Sequence, residues 1–105
     1  AIRQLEERNK RQITAKTTAQ MRMLGSISRS WLRDIMVASA GRGDLVVNDD
    51  ALASIQAVAA RGDTARAAAA LAAVDRFLQA IPYNVSPETN IDSLLFEIRR
   101  CLFAR

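Results

Sequence analysis

Apolar positions recur along most of the chain at steps of three and four, the spacing of one helical face. From about Ile2 to Ala40 the chain reads as one long helical segment. Its first part is polar and charged, with Arg3, Glu6, Glu7, Arg8, Lys10, Arg11 and Lys16. Its second part carries an apolar stripe of Leu24, Ile27, Trp31, Ile35 and Ala38. Gly25 costs about 1 kcal/mol relative to alanine inside a helix, so it marks a kink or a close helix contact. Gly41 and Gly43 form a stop signal. After the loop Arg42 to Val47, Asn48 offers an N-cap, and Asp49 and Asp50 suit the positive end of a short second helix. That helix carries Leu52, Ile55, Val58 and Ala59 and ends at Arg61-Gly62. Asp63 caps a third helix with the stripe Ala67, Leu71, Val74, Leu78 and Ile81, which Pro82 ends or bends. The run Pro82 to Val85 makes a turn. Ser86 then sits at an N-cap with Pro87 at the first helical position. The last helix carries Ile91, Leu94, Leu95, Ile98 and Leu102. Leu45-Val46-Val47 is too short for a convincing strand. The pattern predicts an all-α bundle of about four to five helices with a long first helix, in one domain over 1–105.

Composition strengthens the helical reading. Alanine dominates the apolar half of the 105 residues, while aromatic residues make up only 5%. Alanine is the best helix former. Histidine is absent, which removes the commonest general base and the commonest metal ligand. A lone cysteine, Cys101, rules out an intramolecular disulfide and points to a reducing, cytoplasmic setting. Beside Ile98 and Leu102 it reads as a small buried hydrophobe. No apolar run approaches the ~20 residues that span a bilayer, so no membrane contact is expected. The chain begins Ala-Ile-Arg-Gln-Leu, already inside a helical pattern, and is read as a piece of a longer protein.

Candidate chemistry is thin. Cys101 and the serines lack a histidine to activate them. Gly41-Arg42-Gly43-Asp44 has no lysine and follows no strand, which argues against a phosphate loop. Asp49 and Asp50 read as acids at a helix N-terminus rather than metal ligands. The expectation is therefore no catalytic residue, no cofactor, no metal and no small-molecule substrate. Trp31 continues the apolar stripe and reads first as core, second as an interface anchor.

Charge changes the picture in one place. The net charge is +4, yet residues 1–33 hold eight basic and two acidic side chains, against seven and nine over 34–105. Such an excess is the kind of footprint that nucleic acid leaves. The basic residues read as spread around the helix with Glu6 and Glu7 among them. That favours a solvated helix or an acidic partner over direct DNA contact.

Three stretches resemble a known family. Trp31-Leu32-Arg33-Asp34-Ile35-Met36 is similar to an aromatic-Leu-Arg-Asp-Leu-Leu pattern in the C-terminal domain of the delta-prime subunit of bacterial DNA polymerase III. Val47-Asn48-Asp49-Asp50 resembles the family's Val-Asn-x-Asp. Asn84-Val85-Ser86-Pro87, followed by Asn90-Ile91-Asp92-Ser93-Leu94-Leu95, resembles its Asn-Val-Asn-Pro turn and Ala-Leu-Glu-x-Leu-Leu helix. The matches keep the family's order and spacing over about Trp31 to Leu102. The departures are Ser86 for the usual asparagine, which keeps the N-cap chemistry, and Pro82 ahead of the turn. The resemblance implies a collar domain of a clamp loader. It would pack in a ring with the corresponding domains of the delta and gamma or tau subunits, and reach DNA only through the complex. ATPase-fold domains would precede it. Clamp loading is ATP-dependent and serves DNA replication, but delta-prime itself does not hydrolyse ATP. A close relative such as gamma or tau fits the same motifs. Trp31, Arg33, Asp34, Asn84 and Pro87 are the candidate packing or subunit-interface residues.

Overall fold

The computed structural model describes residues 2–83 and 86–103. It is an all-α bundle of four helices: α1 Ile2–Ser39, α2 Leu52–Ala59, α3 Thr64–Ala80 and α4 Pro87–Phe103. Single 3₁₀ turns lie at Gly43–Leu45, Asp49–Ala51 and Ile81–Tyr83, and no strand forms among the described residues.

The helix ends follow local chemistry. Gly41 takes φ 80°, the left-handed conformation that glycine adopts most readily. The Gly41 N–H donates to the Ala38 carbonyl at 3.0 Å and the Arg42 N–H to the Val37 carbonyl at 2.9 Å. This pair of bonds closes α1 as a Schellman motif. Asp63 caps α3 as expected, its carboxylate accepting the Arg66 N–H at 2.8 Å. Pro82 ends α3 through the 3₁₀ turn that follows Ala80. Ahead of Pro87, the Ser86 carbonyl accepts the Asn90 N–H at 3.1 Å, and its hydroxyl donates to Thr89 Oγ1 at 2.9 Å.

The expected cap at Asn48 takes another form. A 3₁₀ turn over Asp49–Ala51 intervenes before α2, and the Asn48 side chain caps neither element. Its amide is engaged with α1 instead.

Helix α3 lies between α1 and α4, while α2 packs on α1. The core joins Met21, Leu32 and Ile35 of α1 to Ile55 and Ala59 of α2. It continues through Ala67, Ala70, Ala73, Val74 and Phe77 of α3, Ile81 of the turn, and Leu94 and Leu102 of α4. Three fully enclosed or nearly enclosed alanines let α3 sit close to both neighbours. Gly25 serves the same purpose on α1. A Cβ there would lie 2.9 Å from Leu78 Cγ and closer still to Leu78 Cδ2. The glycine marks a close helix contact, and α1 runs through it unbroken.

The stripe expected on α1 holds at three of its positions: Ile35 is buried, and Leu24 and Ala38 are half-buried against the core. Ile27 is 52% exposed and Trp31 37%, so neither is a core residue. The face that packs runs through Met21, Gly25, Leu32 and Ile35, with Ser28 half-buried between them. Two of its positions are glycine and serine, which an apolar scan passes over. Leu95 of α4, expected in the core, is likewise 54% exposed. Residues 2–16 of α1 are exposed throughout, so this end of the helix stands clear of the bundle. No helix among the described residues is long and apolar enough to cross a membrane.

Candidate functional site

The densest polar cluster lies where α1 meets the loop that follows it. Asp34 is the one buried charged residue among those described, with no solvent exposure at all. A carboxylate in that position needs hydrogen-bond donors on both oxygens, because desolvation of an unpaired charge costs several kcal/mol. The chain supplies them from residues 47 and 48. The Val47 N–H donates to Oδ1 at 3.0 Å and the Asn48 N–H to Oδ2 at 2.9 Å. Asn48 Nδ2 donates to Oδ2 as well, and to Ser30 Oγ at 3.2 Å. Arg33 Nη1 reaches Asp34 Oδ1 and the Leu45 carbonyl, both at 3.2 Å.

Two opposing effects set the Asp34 ionisation. Burial is the largest and raises its pKa. The hydrogen bonds from Val47 and Asn48, with the Arg33 charge, together outweigh it and hold the carboxyl below its ordinary value. The group is therefore a carboxylate at neutral pH, locked to the loop. The chemistry of the cluster is positional: it ties residues 45–48 to the last turns of α1 and so fixes where α2 begins.

The candidate residues divide accordingly. Arg33 and Asp34 meet in this knot, Asp34 facing inward and Arg33 at its exposed rim. Trp31 lies on the same turns of α1 but faces solvent. Pro87 opens α4, half-buried, and takes no part in these hydrogen bonds. Asn84 lies outside the described residues. Ser30 and Asn48 belong to the knot and were not among the candidates. A signal for Ser30 is present in the sequence: Ser30 and Asp34 are one helical turn apart, so their side chains lie on the same face of α1. No group of three or more metal-ligating side chains occurs among the described residues.

No family model, curated protein or solved structure matches the chain.

A second polar feature lies between α3 and α4. Arg76 and Arg100 both approach Glu97, at 3.7 and 3.0 Å. Beside them the Asn90 amide nitrogen is buried without a partner, at the edge of a shallow depression of about 230 Å³.

Outside the knot, several large apolar side chains lie on the surface. Ile13, Met23, Ile27 and Trp31 on α1 are exposed, as are Leu95, Phe96 and Phe103 on α4. At 100° per residue, Ile13, Met23, Ile27 and Trp31 fall within an arc of about 80° on α1. Met23, Ile27 and Trp31, four residues apart in turn, line up along one side of the helix, and exposed apolar side chains grouped in this way mark association sites in soluble proteins.

Proposed function

We propose that this chain is a subunit-packing (collar) domain of a bacterial clamp loader, related to the C-terminal domain of delta-prime. In this role it supports ATP-dependent loading of the sliding clamp during DNA replication and performs no catalysis of its own. The observation that carries the reading is the Asp34 knot. The resemblance picks out Trp31 to Met36 and Val47 to Asp50 as separate pieces of sequence. In the fold they converge on one buried carboxylate, so a shared structural reason links both motifs. A rigid tie between a long helix and the next element suits a domain that holds its neighbours at fixed angles.

The exposed apolar stripe of α1 supports the same reading, because a packing domain needs apolar surface beyond its own core. The partners are the collar domains of the gamma or tau and delta subunits, in the cytoplasm. No cofactor, metal or membrane enters this role. Sedimentation velocity of the chain mixed with those collar domains tests it. A faster-sedimenting complex at micromolar concentration is expected. Independent sedimentation of each species would overturn the assignment.

A further inference from the structure

Helix α1 is unbroken from Ile2 to Ser39, so the angular position of every side chain on it follows from 100° per residue. On that count its basic residues are not evenly spread. Arg8, Arg11, Arg22 and Arg29 fall within an arc of about 60°, which Arg33, tied to Asp34 and the Leu45 carbonyl, also enters. All four are exposed. Glu6 and Glu7, the only acids in the first 33 residues, fall outside the arc. The positions between the arginines on this face are small or neutral: Ala15, Thr18 and Ser26. Nothing bulky or acidic on α1 therefore stands between the guanidinium groups and a ligand.

The ion pairs do not neutralise the row. Arg8, Arg11 and Arg22 form no ion pair among the described residues. Arg29 has Asp75 of α3 at 3.6 Å, an exposed contact with both side chains about half in solvent or more. Such pairs are weak and exchange readily for a better anion. Near Arg29 the surface dips into an open depression of about 520 Å³ between Ser26, Ser30, Met36 and Leu71.

We propose that this arginine row binds the phosphate backbones of a double-stranded nucleic acid. Guanidinium groups suit phosphate, which they bind through paired N–H donors. The spacing favours a duplex. Along the helix axis the intervals are about 4.5 Å from Arg8 to Arg11, about 16.5 Å to Arg22 and about 10.5 Å to Arg29. A line drawn parallel to a duplex axis meets the two backbones alternately. Its intervals are unequal, because the grooves are about 12 and 6 Å wide, and they repeat about every 34 Å. The row, about 32 Å long, spans close to one such repeat, so the Arg8–Arg11 pair at one end and Arg29 at the other can reach successive turns of one duplex. An acidic protein surface imposes no such repeat. The binding face is separate from the apolar stripe, so the proposal does not rest on the collar reading.

The test is fluorescence anisotropy of a labelled duplex with the whole chain, titrated at several salt concentrations. Two variants with equal charge loss are compared: Arg8→Gln with Arg11→Gln and Arg22→Gln, and Arg3→Gln with Lys10→Gln and Lys16→Gln. All six positions are exposed, and circular dichroism checks that helicity is kept. The expected result is duplex binding that weakens steeply with salt. In the first variant the slope of log affinity against log salt falls by about 1 for each arginine removed. The second variant keeps most of the affinity. Equal losses in the two variants would overturn the proposal, since net charge alone would then explain binding. Equal affinity for a single strand would also overturn it. So would absence of duplex binding at low salt, and binding to polyglutamate in its place would assign the row to an acidic protein.

Discussion

At the scale of single residues, Asp34 is the most consequential side chain in the chain. Its two oxygens satisfy the amides of Val47 and Asn48, which α1 could not otherwise reach. Asp34→Ala leaves those donors without their acceptor and empties a buried position, and urea denaturation should show a loss of about 1–3 kcal/mol. Arg33→Ala removes only the exposed rim of the knot and should cost about 0.5 kcal/mol. The same carboxylate ties stability to pH. Its pKa in the folded chain is lowered. Its contribution is therefore complete above the ordinary aspartate value of about 3.9 and is lost as pH falls through the folded value. Acid titration of the melting temperature should show a loss beginning below about pH 4. Asp34→Asn, less stable at neutral pH, should show a shallower acid limb. An unchanged limb in that variant would place the sensitivity elsewhere.

At the scale of elements, α1 presents three faces. One, through Met21, Gly25, Leu32 and Ile35, packs on the bundle. A second carries Ile13, Met23, Ile27 and Trp31 into solvent, and a third carries the arginines. The sequence pattern made the helix, its end at Gly41 and the Asp63 cap legible, because each depends on nearby residues alone. It places Leu24, Ile35 and Ala38 correctly against the core but adds Ile27 and Trp31, because hydrophobicity is the guide, whereas the α1–α3 contact is made by absence of side chain at Gly25. Phe77, Ala70 and Ala73 escaped notice for a related reason: α3 is packed on two sides, so its buried arc is wider than a single stripe. Asn48 was read as a cap because its local setting fits one. Only the fold brings Asp34, fourteen residues away, within reach. The glycine contact makes a sharp prediction. Alanine at residue 25 gains about 1 kcal/mol of helix propensity but overlaps Leu78, an overpacking cost of about 1–3 kcal/mol. Gly25→Ala should thus be destabilising in the native background. With Leu78→Ala already in place, the same change should become stabilising by about 1 kcal/mol, a sign reversal that a double-mutant cycle in urea detects.

At the scale of the whole molecule, shape and surface point the same way. The radius of gyration is 17.0 Å, against about 13 Å for a compact chain of this length. The excess comes from α1, which at about 1.5 Å per residue is about 57 Å long and sets the 60 Å long axis. The proposed packing surface can be separated from the core by substitution. Ile27→Asp with Trp31→Ala changes two exposed side chains that the core does not enclose. Urea denaturation of the chain alone should therefore shift by about 0.5 kcal/mol for Ile27→Asp and by about 1–2 kcal/mol for Trp31→Ala, whose side chain is 37% exposed and loses some cover from its neighbours. Sedimentation with gamma or tau collar domains should, in contrast, lose the complex, because burying an aspartate in an apolar interface leaves a charge unpaired. Arg8→Gln with Arg11→Gln and Arg22→Gln should do the reverse, keeping the complex and losing the duplex. A large stability loss in the Ile27 and Trp31 variant would return these residues to the core. Intact association would move the packing surface to Leu95, Phe96 and Phe103 on α4, the other exposed apolar patch.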